Sequence, residues 1–149
     1  MFSRIVAAVD GSELATKALR HAVALAKASG ARLFVLTSTD PSVLIAPGAE
    51  VMAIDIGPII AELDEVKRQS AAALLADARA VATGEGLKID TIHVPSSTAA
   101  DAIIKTAEKQ GFDLIVMGSH GRRGLGRLLL GSQAAEVLAR SPIPGLVVK

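Results

Sequence analysis

Cysteine, tryptophan and tyrosine are absent from this chain of 149 residues, and its only benzene-type rings are Phe2, Phe34 and Phe112. Without cysteine there is no disulfide framework, no thiol catalysis and no thiolate metal site, a composition that suits a reducing compartment. The near absence of aromatics requires an aliphatic core of Ala, Val, Ile and Leu, so that a bound base would meet aliphatic walls. It also removes the stacking platforms of single-strand nucleic-acid binders. Charge of one sign is lacking too: 16 Lys and Arg stand against 15 Asp and Glu, which gives no broad field for gripping a phosphate backbone. Nucleic acid is therefore not an expected partner. No apolar run approaches membrane-spanning length, and the run before Asp10 is far shorter than a signal-peptide core. The expectation is a soluble, cytoplasmic protein without membrane insertion, built as one domain over residues 1–149 that buries roughly 70% of its unfolded surface.

What is present is an alternation of short apolar runs and helical patterns. Ile5 to Val9 reads as a buried strand ending at Asp10-Gly11-Ser12. Asp10 or Ser12 can cap the helix that follows, whose apolar positions Leu14, Ala18, Ala22 and Leu25 form one stripe stopped by Gly30. Arg32 to Ser38 is a second strand. Residues 40–58 hold apolar side chains without a clear period, read as a flap over a ligand or a partner-facing patch. Pro58 suits the first turn of a long helix with Ile60, Leu63, Val66 and Leu74 at helical spacing. Leu87 to Val94 alternates, as an edge strand does. His93 within it, and His21 in the first helix, have no partners at metal-ligand spacing and read as structural. Ser97 or Thr98 begins a helix closed by Gly111; a strand from Leu114 to Met117, a last helix stopped by Pro142 and a strand from Leu146 to Val148 complete the chain. Five strands alternating with four helices predict an α/β doubly wound domain, its parallel sheet in the order 3-2-1-4-5 with helices on both faces.

The informative stretch is LIVMGSHGRRGLGRLLLGS, from Leu114 to Ser132. A buried strand leads into Gly118 and Gly121, then a basic loop, then Gly131 and Ser132 before a helix. Glycines let a ligand approach the backbone closely, and a helix start presents unpaired N–H groups with partial positive charge. Together they suit an anion, most often phosphate, beyond the carboxyl end of a parallel strand. Ser132 is also a good N-cap on structural grounds alone. Arg122, Arg123 and Arg127 can screen phosphate charge or form a solvated basic loop. Asp10, at the carboxyl end of the first strand, suits a ribose or cation contact as well as a helix cap. His120 lies in the loop as a contact for solvent or phosphate rather than an identified base. There is no P-loop, since no Gly-Lys pair exists, and the spacing of Gly121, Gly124 and Gly126 is the wrong order for a dinucleotide fingerprint.

These residues carry a resemblance. Gly118, two residues, Gly121, nine residues, Gly131 and Ser132 meet the nucleotide motif of the universal stress proteins, in the subgroup that binds ATP. VAAVDGSELATKAL and the closing SPIPGLVVK resemble that family's first strand and helix and its last strand. The resemblance implies that Gly118 meets the ribose, Gly121, Gly131 and Ser132 the phosphates, Asp10 the nucleoside side, and the backbone of Ser38 the adenine edge. Met117, His120, Arg122 and Gln133 adjoin these positions as further cofactor-binding candidates, with no catalytic residue and no protein-held metal. It implies ATP, or ADP or AMP, with Mg²⁺ or Mn²⁺ on the phosphates. It also implies a homodimer through the last strand and a regulatory role toward a protein partner not named by the sequence. A slow ATPase or phosphotransferase using His120 or Asp10 and a nucleotide-independent dimeric scaffold are the alternatives. Four positions depart from the family pattern: Ser38 for an apolar residue, Ser97 and Ala99 for glycine and proline, and Gly145 for a β-branched residue.

Overall fold

A computed structural model describes residues 1–43, 55–121 and 130–149. Within them the elements are β1 (Arg4–Ala8), α1 (Glu13–Ser29), β2 (Arg32–Ser38), α2 (Gly57–Gly84), β3 (Ile89–Val94), α3 (Ala99–Gln110), β4 (Leu114–Gly118), α4 (Ser132–Arg140) and β5 (Gly145–Val148). All pairings are parallel, and the sheet order is β3-β2-β1-β4-β5. The chain steps outward one way from β1 through β2 to β3 and the other way through β4 to β5. The reversal lies between β1 and β4, where doubly wound sheets open a crevice beyond their strand ends.

Strand alternation feeds two aliphatic layers. Ile5, Ala7, Leu33, Val35, Leu114 and Val116 pack against α1 and α2. Val6, Phe34, Leu36, Ile115 and Met117 pack against α3 and α4. The central strands are apolar on both sides because both sides are covered. On the second layer Phe34 and Phe112 meet at 4.8 Å between ring centroids, and the Arg4 guanidinium lies over both rings. Two of the three rings thus share one cluster at the amino end of the sheet, remote from the crevice.

The helix ends follow from their residues. Ser12 caps α1 by accepting from the Ala15 amide at 3.2 Å, and Gly30 closes it in the left-handed region. Thr98, rather than Ser97, caps α3. The buried stripe of α1 runs through Ala15, Ala18, Leu19, Ala22, Val23 and Ala26, with Leu14 and Leu25 at its margins.

Helix α2 departs from expectation. Its 28 residues span about 42 Å, roughly twice the length of a seven-residue strand, so only its second half lies over the sheet. Ala71, Leu75, Ala78 and Ala82 are buried there, whereas Leu63 and Val66, expected in the apolar stripe, are 38% and 55% exposed. The guanidinium of Arg79 on this helix reaches the free edge of the sheet, donating to the Ile89 carbonyl and to Thr91 Oγ1, each at 3.0 Å. Because Val94 O bonds inward to Thr39 N, the two-residue alternation of β3 turns Ile89 O outward, and Arg79 plugs it.

Candidate functional site

At the end of β1, Asp10 Oδ1 accepts from the Ser12 amide at 2.9 Å, a turn that holds Gly11 at φ 83°. Asp10 therefore organises the turn ahead of α1 and leaves the capping to Ser12. Its second carboxylate oxygen lies against Gly121: a Cβ there would overlap Asp10 Oδ2. The loop after β1 and the loop after β4 meet at this contact, across the topological reversal.

Gly118 and Gly131 both lie at close approaches that a side chain would crowd. A Cβ on Gly118 would stand 3.1 Å from Leu14 Cγ and 3.3 Å from the His120 carbonyl. One on Gly131 would meet the His120 Cα at 3.0 Å and the Ser119 carbonyl at 3.1 Å. The loop closes where the Gly131 amide donates to Ser119 O at 2.7 Å, while Ser119 N donates to Val148 O on β5 at 2.8 Å. Ser119, buried and not marked out by the sequence reading, is thus the hinge pin of the loop, and its hydroxyl lies 3.3 Å from His120 Nδ1. Its small polar side chain between two motif glycines was the available signal.

Helix α4 begins differently from the expectation that Ser132 caps it. Gly131 occupies the cap position, which therefore has no side-chain hydrogen bond, and Ser132 is the first helical residue. The Ala135 amide takes the Gly131 carbonyl, so the amides of Ser132, Gln133 and Ala134 have no carbonyl to bond within the helix. Three N–H groups and the Ser132 hydroxyl gather at the positive end of the helix dipole. Gln133 turns its side chain aside, accepting from the Ala100 amide at 2.9 Å.

One strand over, Ser38 ends β2 opposite Val94 of β3. The neighbouring loops are clamped: Thr39 N donates to Val94 O at 3.1 Å, Ser97 N donates to Thr39 O at 3.0 Å, and Thr39 Oγ1 lies 3.0 Å from His93 Nε2. Ser96 sits at φ 52°, a backbone that favours glycine. The turn ahead of α3 thus keeps a left-handed position even though this chain fills it with serine. Burial first, and then the Arg68 charge, lower the His93 pKa below its usual 6.5.

The structure therefore brings Asp10, Gly118, His120, Gly121, Gly131 and Ser132 together at the reversal, with the Ser38 backbone beside them on β2. Met117 contributes no side chain, being 4% exposed within the layer under α3 and α4. Arg122, Arg123 and Arg127 lie outside the described residues, as do 44–54 of the proposed flap. Among the described residues no group of three His, Asp or Glu could hold a metal ion, and no helix is long and apolar enough to cross a membrane.

The model of the universal stress protein family matches residues 1–149. The chain belongs to the universal stress protein family. It is 35% identical over 149 residues to universal stress protein MJ0531 of Methanocaldococcus jannaschii, covering 100% of this chain and 83% of that one. Among solved structures, protein MJ0577 of the same organism superposes with a TM-score of 0.82 at 30% identity, covering 100% of this chain and 96% of that one. A universal stress protein solved in complex with cAMP superposes with a TM-score of 0.73 at 27% identity, with 99% and 97% covered. The shared fold agrees with the five-stranded parallel sheet in the order β3-β2-β1-β4-β5.

Proposed function

We propose that this universal stress protein is a nucleotide-dependent regulator that holds ATP, ADP or AMP in the crevice beyond β1 and β4. The observation that carries the reading is the start of α4: a glycine at the cap, three amides without intrahelical partners, and Ser119 and His120 so close behind them that a Cβ on Gly131 would stand 3.0 Å from the His120 Cα. A carboxylate-rich lining would repel phosphate, whereas this donor set complements it. In the proposed pose the phosphates lie on the amides and hydroxyl of the α4 start, the ribose near Gly118, the nucleoside side near Asp10 and the adenine edge on the Ser38 backbone. A family relative solved with cAMP supports an adenine nucleotide as the ligand class. Mg²⁺ or Mn²⁺ would be carried on the phosphates, neutralising their charge.

Occupancy would alter the surface offered to a protein partner in the cytoplasm. A homodimer through β5 belongs to the same proposal: β3 has its edge plugged by Arg79, whereas β5 is the other terminal strand of the sheet.

The test is calorimetric titration of ATP with Mg²⁺ into the protein and into Ser132→Glu. An acidic residue at the first helical position favours the helix while repelling phosphate, so the variant remains folded. Saturable binding to the parent that the variant loses is the expected result. No binding to the parent, or equal binding to both, overturns the reading.

A further inference from the structure

Two helix starts face the same end of the sheet, and one residue treats them differently. In α3 the amide of Asp101 is taken by the Thr98 hydroxyl, and the amide of Ala100 is taken by Gln133 Oε1 at 2.9 Å. Gln133 itself is the second residue of α4, whose own cap position is the bare Gly131. A side chain from the helix without a side-chain cap therefore caps the neighbouring one. Further along, Arg140 of α4 pairs with Asp101 of α3 at 2.9 Å, so the two helices are joined at both ends of α4.

We propose that Gln133 is a positioning residue that closes the α3 start and so leaves the α4 start as the phosphate-facing end, and that its neutrality sets the charge the site accepts. A carboxylate at this position could accept from the Ala100 amide equally well, and acidic residues near helix starts are favourable for dipole reasons. Helix capping alone would therefore tolerate glutamate. An anion bound at Ser132–Ala134 would not, because the glutamate charge would sit within the same helical turn. The use of an amide here fits a ligand with several negative charges. This inference rests on the nucleotide reading above and specifies its preference: affinity rises with phosphate count.

The experiment uses the full chain, with Gln133→Glu and Gln133→Ala. Adenosine, AMP and ATP with Mg²⁺ are titrated into each by calorimetry, and amide hydrogen exchange at Ala100 is followed by NMR in the ligand-free proteins. Gln133→Glu is expected to keep Ala100 protected, to bind adenosine as the parent does, and to bind ATP on the order of tenfold more weakly, with AMP between. Gln133→Ala is expected to expose the Ala100 amide to faster exchange. Equal protection of Ala100 in Gln133→Ala, or a glutamate effect that is the same for all three ligands, overturns the proposal while leaving nucleotide binding intact. A parent that binds none of the three overturns both.

Discussion

Gly131 donates its amide to the Ser119 carbonyl at 2.7 Å, and the same oxygen would lie only 3.1 Å from a Cβ placed on Gly131. The glycine is demanded by the backbone of its own loop before any ligand arrives. Gly131→Ala must push Ser119 and His120 aside, with an expected loss of about 1–3 kcal/mol for overpacking a tight contact. Urea unfolding measures it; an alanine variant as stable as the parent would show that the loop gives way freely.

Stability should depend on His93 near neutrality. Its pKa in the folded chain is lowered, first by burial and then by Arg68. The unfolded chain takes up the proton near pH 6.5, ahead of the folded one, so the contribution is complete above that pH. It is lost as pH falls below 6.5 through the lowered value. His93→Gln removes the titrating group, and its urea midpoint should fall less between pH 7.5 and pH 5 than the parent's. Parallel profiles would refute this.

Removing the Arg79 guanidinium should uncover the outward Ile89 carbonyl and with it an edge of the sheet. Arg79→Ala is expected to show concentration-dependent association beyond the parent's own state in sedimentation velocity. Unchanged distributions across a hundredfold dilution would mean that the short strand and the Arg32–Asp90 ion pair protect the edge without it.

The two halves of α2 should respond oppositely to substitution. Leu75 is 7% exposed, and Leu75→Ala is expected to cost about 2–5 kcal/mol. Val66 is 55% exposed, and Val66→Lys should change stability by less than about 0.5 kcal/mol. Guanidinium denaturation separates the two; a large loss at Val66 would mean that the first half of the helix is covered in solution.

Much of the fold was legible because its signals are local. The runs Ile5 to Val9, Leu33 to Leu36 and Leu114 to Met117 are apolar at successive positions, as strands covered on both faces must be. Ser12, Gly30, Thr98 and Gly111 mark helix ends through their own side chains or backbone freedom. Helix α2 misled because Ile60, Leu63 and Val66 keep helical spacing beyond the sheet's edge, and periodicity does not report where the neighbouring layer stops. Ser132 misled more usefully. A serine before a helix reads as a cap, yet the helix starts one residue earlier, at Ser132 itself, and the cap position falls to Gly131.

By itself the sequence determined the alternation of elements, the right-handed parallel crossovers that alternation requires, and the glycine spacing at the end of β4. Each depends on chain-local sterics and on periodicity. The tertiary structure alone decided that Asp10 meets Gly121 across the reversal, that Arg79 seals one edge, and that Gln133 caps α3 while Gly131 gives α4 no side-chain cap. Those contacts join residues brought together only once both aliphatic layers have packed, and their partners carry no mark of the pairing in the sequence.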